Sequence, residues 1–334
     1  MIAEPGVCYH PGDLPADVSP RALISVVFSF RNEAENLGPL VARLATMFAT
    51  EPVEYELIFV NDASSDASLP LLVGLRRDNP RIKVLNMSRK FGVAECVRAG
   101  LAAAKGDAVI YMDTDLQDPP EVIPEMLAAW RGGADVVHTV RTRRHGESAM
   151  KMRLTALAYR LIRAGSSIEL PVDAGDFKLL SRAAVRHLLV LGESDPYLRG
   201  LVVWIGFKQV LVQYERKARH GGATHFPFLH RNPWKTAITG LTSFSFLPIY
   251  AVGVVAIAGV IVALLTIAAG VYMQMSGMSR SALVGIIGVM MFFWATTLVA
   301  IATVGIYVIR TYKDVRARPQ YIVASSIGFD GDEP

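Results

Sequence analysis

From Leu23 onward, short runs dense in β-branched and aromatic residues alternate with longer stretches whose apolar residues recur every three or four positions. The short runs are Leu23–Phe30, Tyr55–Asn61, Ile82–Asn86, Ala108–Asp113 and Asp135–Arg141. Between them, Asn36–Thr50, Ala67–Asp78, Val93–Ala104 and Val122–Arg131 have the length and spacing of helices. This alternation predicts an α/β fold, a parallel Rossmann-like sheet with crossover helices on both faces. In such sheets ligands bind beyond the carboxyl ends of the strands, so polar residues that cut off an apolar run are the candidates for chemistry.

The pattern changes after Lys235. No Asp, Glu, Lys or Arg follows until Arg280, and none falls between Ser281 and Ile309. Phe246–Met273 and Ala282–Ile309 each exceed the roughly 20 apolar residues that cross about 30 Å of hydrocarbon, which predicts two transmembrane helices joined by a turn at Gln274–Ser281. Arg231 and Lys235 precede the pair, Arg310, Lys313, Arg316 and Arg318 follow it, and the turn holds Arg280 alone. The positive-inside bias then puts the catalytic domain and both termini in the cytoplasm. The domains expected are a tail (1–22), a catalytic domain (23–230), a juxtamembrane segment (231–245), the hairpin (246–309) and a cytoplasmic tail (310–334). Small residues at Gly253, Ala256, Gly259, Gly285 and Gly288 permit close helix packing, within one chain or between the copies of a homo-oligomer.

Composition agrees with a membrane location, because the mean hydropathy of +0.34 is high for a soluble chain of 334 residues. The net charge of +4 suits anionic headgroups or phosphorylated substrates and requires no nucleic-acid partner. Cys8 and Cys96 cannot make a disulfide framework or a zinc cluster, and Pro5, Pro11, Pro15 and Pro20 interrupt the N-terminus where a signal peptide would need an apolar core. Residues 141–168 interleave Arg141, Arg143, Arg144, Lys151, Arg153, Arg160 and Arg163 with leucines and Ile162. This reads as an interfacial amphipathic helix near 147–165, with a core helix as its alternative.

Two strand ends carry candidate chemistry. Val60–Asp66 (VNDASSD) stops a strand in acceptors and hydroxyls, which suits either a nucleoside, through Asp62, or a plain helix N-cap. Asp113–Pro120 (DTDLQDPP) is more specific. Asp113 and Asp115 stand two apart at a strand end, where both carboxylates can approach one hard divalent cation, Mg2+ or Mn2+, with diphosphate oxygens completing its shell.

These segments resemble the family 2 glycosyltransferases, in the polyprenyl-phosphate branch that includes dolichol-phosphate mannose synthase and bacterial polyprenyl-phosphate glucosyltransferases. The resemblance runs from Ser25–Glu33 (SVVFSFRNE) through Val60–Asp66, Ser88–Gly92 (SRKFG), Asp113–Pro120 and Gly175–Leu179 (GDFKL). It continues through Leu198–Leu201 (LRGL), Trp204–Phe207 (WIGF) and Tyr214–Arg219 (YERKAR), and closes on the hairpin and the segment Arg310–Val323. It implies a GT-A-type nucleotide-sugar-binding domain before the membrane hairpin. Asn32, Glu33, Asp62 and Asp113 would hold the donor, and Asp113, Asp115 and Gln117 the metal. Asp115, Gln117, Asp176 and Arg199 would serve catalysis, Asp176 beside the reacting sugar, although Gly175-Asp176 is also ordinary turn chemistry. Arg141, Arg153, Arg216 and Arg219 would meet the acceptor phosphate, a task suited to planar guanidinium groups. The chain departs from the branch at Gly222–His225, with an imidazole where a lysine is common. It departs again at Val93, and at Ser29 and Arg31 near the usual Pro and Tyr.

The expected reaction is transfer of a sugar, with UDP-glucose the first donor and GDP-mannose the alternative, to polyprenyl phosphate. A lipid phosphate is already anionic at neutral pH and needs no strong base, so single displacement with inversion follows. A processive polysaccharide synthase would add a Gln-x-x-Arg-Trp motif and more spans. A non-catalytic adaptor would be expected to have lost Asp113, Asp115 or Gln117, and a channel would need an intramembrane polar route that this hairpin lacks.

Overall fold

The computed structural model describes residues 22–141, 174–214, 245–276 and 282–329. Its centre is an eight-stranded mixed sheet in the order β7-β5-β6-β4-β1-β2-β3-β8. The strands are β1 (Leu23–Phe30), β2 (Glu54–Asn61), β3 (Ile82–Met87), β4 (Ala108–Asp113), β5 (Val136–Arg141), β6 (Ala174–Ser181), β7 (Gln209–Tyr214) and β8 (Val323–Ile327). The five anticipated strands form within a residue of their expected bounds. The anticipated all-parallel sheet does not: β6 runs antiparallel to β4 and β5, and β8 antiparallel to β3. Pairing direction depends on long-range closure rather than on local alternation, which is why the pattern of apolar residues carried no sign of it.

Alternation along the strands builds two cores. Ile24, Val26, Phe28 and Phe30 of β1 join Phe59 of β2 and the apolar faces of α1 (Ala34–Phe48) and α4 (Ile123–Arg131), with Leu72 from α2 (Ser68–Asp78). Phe28 and Phe59, opposite each other in register, stack at 4.7 Å. On the other face Val27, Ile58 and Tyr111 pack with α3 (Val93–Ala103), α5 (Arg182–Val190) and α6 (Leu198–Trp204). A Cβ at Gly100 would collide with Val27, so its lack lets α3 lie directly on the sheet.

Glu56 is a charged exception within this core. Its carboxylate accepts from Ser25 Oγ at 2.5 Å, Lys83 Nζ at 2.7 Å and the Lys105 amide at 2.7 Å. Burial works against the charge, but Lys83, Ser25 and Lys105 outweigh it and hold the group below its ordinary range. Glu56→Ala strands all three donors and is expected to cost about 3 kcal/mol of stability in chemical unfolding of the detergent-solubilised protein. Because the folded pKa is depressed, this stability is present above the usual carboxylate range and is lost as pH falls through the folded value. Glu56→Gln should accordingly flatten the acid limb of the stability profile; an unchanged limb would count against this assignment.

Two long helices follow, α7 (Leu247–Met275) and α8 (Ala282–Val315). At 1.5 Å per residue their 29 and 34 residues reach about 44 and 51 Å, beyond the ~30 Å of hydrocarbon. Ile257, Leu264, Leu265, Met290, Trp294 and Ile301 are exposed, so these are not core helices of a soluble fold and the chain is membrane-associated. The hydroxyls of Thr266, Thr296, Thr297 and Thr303 each donate to the carbonyl four residues earlier, which removes polar groups from contact with lipid. Gly259 faces Phe292 with no room for a Cβ, so this small residue serves packing within the hairpin. The segment expected to be a tail returns to the catalytic domain, where β8 adds to the β3 edge.

Candidate active site

The site lies where β4, β1 and β2 end side by side, Ser29 opposite Asp113 and Phe30 opposite Asn61. Just past each of these ends a non-glycine residue adopts positive φ: Asn32 (56°), Ala63 (53°) and Leu116 (60°). Asn tolerates this region, but Ala and Leu are held there at a cost of order 1–3 kcal/mol each, and such strain gathers at functional sites. The β1 and β2 ends are laced together. The Ser65 amide donates to Asn32 Oδ1 at 2.8 Å, the Asn32 amide to Ser64 Oγ at 3.0 Å and the Glu33 amide to Ser68 Oγ at 3.0 Å. Asn36 Nδ2 donates to the Glu33 carboxylate at 2.6 Å.

For Asp62 the structure does not bear out the helix cap. Its Oδ1 accepts from the amides of Phe91, at 2.6 Å, and Gly92, at 3.3 Å, where the glycine's φ of 128° turns the chain. It does not cap α2; the nearby Asp66 accepts from the Ser68 amide at the start of α2, at 3.0 Å, and from the Ala34 amide at the start of α1, at 3.3 Å. Asp62 thus holds the Ser88–Gly92 segment beside the end of β2.

Across β1, the end of β4 is crowded with carboxylates. Burial, and then Asp176, Asp118 and Asp115, push the Asp113 carboxyl up to about 7, against a pull downward from Arg199. Asp115 Oδ1 accepts from the Gln117 amide at 3.1 Å, which folds the loop back on itself. Asp118, fully buried, accepts from the Tyr214 hydroxyl at the end of β7. From β6, Asp176 meets Arg199 of α6 in a two-pronged pair, Nε to Oδ1 at 2.7 Å and the terminal nitrogen to Oδ2 at 2.5 Å.

Sequence reasoning missed what lies beneath this cluster. Lys178 is buried on the same face of β6 as Asp176, with Tyr111 of β4 on one side in register and His138 of β5 on the other. Burial lowers its ammonium to about 8; Asp176 pulls it up and Arg199 pushes it down. His138 is lowered to about 4 by burial and by Lys178, and its Nε2 pairs with Gln209 at 2.8 Å. The spacing of Asp176 and Lys178 by two, which puts both on one strand face, was the signal available.

The structure therefore brings Asp113, Asp115, Asp176 and Arg199 to one place, with Gln117 in the same loop, and Asn32, Glu33 and Asp62 along the adjoining strand ends. Arg141 closes β5 opposite Tyr214. Its side chain, and all of Arg153, Arg216, Arg219 and the expected interfacial helix, lie outside the described residues. Among the described residues no three His, Cys, Asp or Glu side chains form a ready-made metal cage.

Residues 25–189 match the family model described as Glycosyl transferase family 2. The chain is 35% identical over 312 residues to the uncharacterized glycosyltransferase YkcC of Bacillus subtilis, covering 92% of this chain and 94% of that one. It is 32% identical over 310 residues to the bactoprenol glucosyl transferase of Shigella phage SfII, covering 91% and 98%. Among solved structures, glucosyl-3-phosphoglycerate synthase from Mycobacterium tuberculosis, in complex with Mn2+, UDP and glucosyl-3-phosphoglycerate, aligns with a TM-score of 0.45. Its identity is 19%, over 66% of this chain and 79% of that one.

Proposed function

The chain belongs to glycosyltransferase family 2, and from that premise we propose that it transfers glucose from UDP-glucose to the phosphate of a polyprenyl lipid, with inversion. The observation that carries this reading is the union of two features in one chain. An acid-rich strand-end site sits in a sheet whose last strand, β8, arrives directly from a lipid-exposed helix hairpin. Such an enzyme is tethered to the surface where a lipid phosphate resides. The bactoprenol glucosyl transferases, similar along nearly their whole length, support the same acceptor and sugar.

The donor set suits a divalent metal. Hard carboxylate oxygens are in excess, with Asp115, Asp118 and Asp176 around Asp113 and Arg199 opposing them. Asp113 and Asp115, with Gln117, would hold Mg2+ or Mn2+, which when bound offsets the charge of the departing diphosphate. The remaining work falls to the protein. Asn32, Glu33 and Asp62 form the wall that holds the nucleoside. Arg199 fixes the direction of Asp176, where a carboxylate stabilises positive charge developing at the sugar carbon. Because the lipid phosphate is its own nucleophile, no side chain need remove a proton, and Arg141, Arg153, Arg216 and Arg219 are assigned to steering it. The pairing of β8 with the sheet after both helices supports a catalytic domain and a segment beyond the hairpin on one membrane face, and the flanking positive charge supports a cytoplasmic one.

The test uses membrane vesicles containing the protein and polyprenyl phosphate, supplied with radiolabelled UDP- and GDP-sugars. Metal-dependent label is expected in the organic phase from UDP-glucose, in inverted vesicles and not in sealed right-side-out ones, with a β-linked product. Label from GDP-mannose instead would overturn the donor, an α-linked product would overturn inversion, and no transfer from any donor would favour a non-catalytic adaptor.

A further inference from the structure

Residues 193–195, in the loop between α5 and α6, are bound chiefly from the membrane side. The Ser194 amide donates to Asp314 Oδ1 at 2.8 Å. Arg310 donates to the Asp195 carbonyl at 3.4 Å, Lys313 pairs with the Asp195 carboxylate, and Gln320 Nε2 donates to the Glu193 carbonyl. Among the described residues, these hydrogen bonds of 193–195 all go to the cytosolic end of α8 or just beyond it. Burial raises the Glu193 carboxyl, Arg310 and Arg98 pull it down and Asp314 pushes it up, so the same loop lies inside a network of alternating charge. Arg98 also donates to the Leu188 and Leu189 carbonyls at 3.4 and 3.1 Å, which anchors the loop's upstream end at the terminus of α5. Four residues past Asp195 stands Arg199, whose neighbours Leu198, Leu201 and Val202 are buried in the core.

We propose that the cytosolic end of α8 is a strut that, through Lys313 and Asp314 on the Ser194–Asp195 loop, positions α6 and so aims Arg199 at Asp176. Lys313, Asp314 and Asp195 are positioning residues, since none of them belongs to the carboxylate cluster itself. The geometry gives the hairpin a part beyond anchorage: its helix sets the placement of a side chain in the reaction centre. The inference rests on Arg199 and Asp176 being at that centre, as argued above. It differs from general stabilisation because the donor wall on β1 and β2 lies on other elements, so a strut defect should leave nucleotide-sugar binding alone.

The experiment compares Lys313→Asp, Asp195→Lys and the double reversal in nanodiscs, measuring transfer kinetics, thermal midpoint and amide hydrogen exchange. Each single reversal is expected to lower kcat about tenfold, with KM for the nucleotide sugar within about twofold of wild type. The double reversal should recover kcat to within about threefold. Exchange should rise in 193–204 and not in 182–190. Unchanged kcat and exchange in the single variants would overturn the strut, as would kcat and KM deteriorating together with a collapse of the thermal midpoint. If wild type transfers no sugar, the proposed function fails on its own, and the exchange of 193–204 still decides whether α8 holds α6.

Discussion

Asp115→Ala is expected to reduce lipid-linked product formation by about a hundredfold to a thousandfold at saturating substrates, while the fold survives. Asp115 lies in the loop past β4, partly exposed, and among the described residues its side chain accepts a local hydrogen bond from the Gln117 amide. Its loss therefore removes little packing. The chemical loss is large because Asp113 alone is a poor holder of a hard divalent ion, whereas two carboxylates spaced by two residues at a strand end make a directed pair. Asp115→Asn keeps the turn and halves the oxygen donors, so it should fall between alanine and wild type. The readout is radiolabel in the organic phase across a metal titration, with the thermal midpoint followed in parallel. A variant retaining more than a tenth of the wild-type rate would remove Asp115 from the metal assignment.

The second large effect is expected at the Asp176–Arg199 pair. Arg199→Ala should lower kcat by about a hundredfold, with KM for the nucleotide sugar changed much less. The pair is joined by two parallel hydrogen bonds, and Arg199 is the cation that counteracts the upward push of neighbouring carboxylates on Asp113. Removing it leaves Asp176 undirected and the cluster more negative. Arg199→Lys preserves charge but cannot supply the planar fork, so it should recover only a small part of the rate. Full activity in Arg199→Lys would mean that charge alone matters and that the two-pronged geometry has no catalytic role.

Leu23–Phe30 and Ala108–Asp113 were predicted to the residue, because a buried parallel strand is a continuous apolar run whose ends are marked by polar residues. The strands β6, β7 and β8 were not anticipated. β8, Val-Ala-Ser-Ser-Ile, carries two serines and a weak apolar signal, and becomes a strand because the β3 edge offers it unpaired backbone groups. Asp62 shows the limit at a single residue. An Asp at a strand end before two serines fits a cap or a ligand equally well, and what the fold gives its Oδ1 is neither signal but the amides of Phe91 and Gly92, about thirty residues away in the chain. Lys178 shows the converse, a charged residue at a position that alternation leaves undecided, buried because the α3–α5–α6 layer covers that face of the sheet.

Sequence by itself determined the α/β class, the two lipid-exposed helices and the acidic strand end, since each follows from periodicity, from charge-free length or from the spacing of two carboxylates, all properties of neighbouring residues. Tertiary structure alone decided the antiparallel strands, the meeting of Asp176 with Arg199, the buried Lys178 and the grip of α8 on the Ser194–Asp195 loop. Those join residues from 23 positions apart, at Asp176 and Arg199, to 243 apart, at Val84 and Ile327 across β3 and β8, or depend on which sheet face is covered. Their formation depends on closure of the whole sheet around the two cores, a condition that no local window of sequence contains.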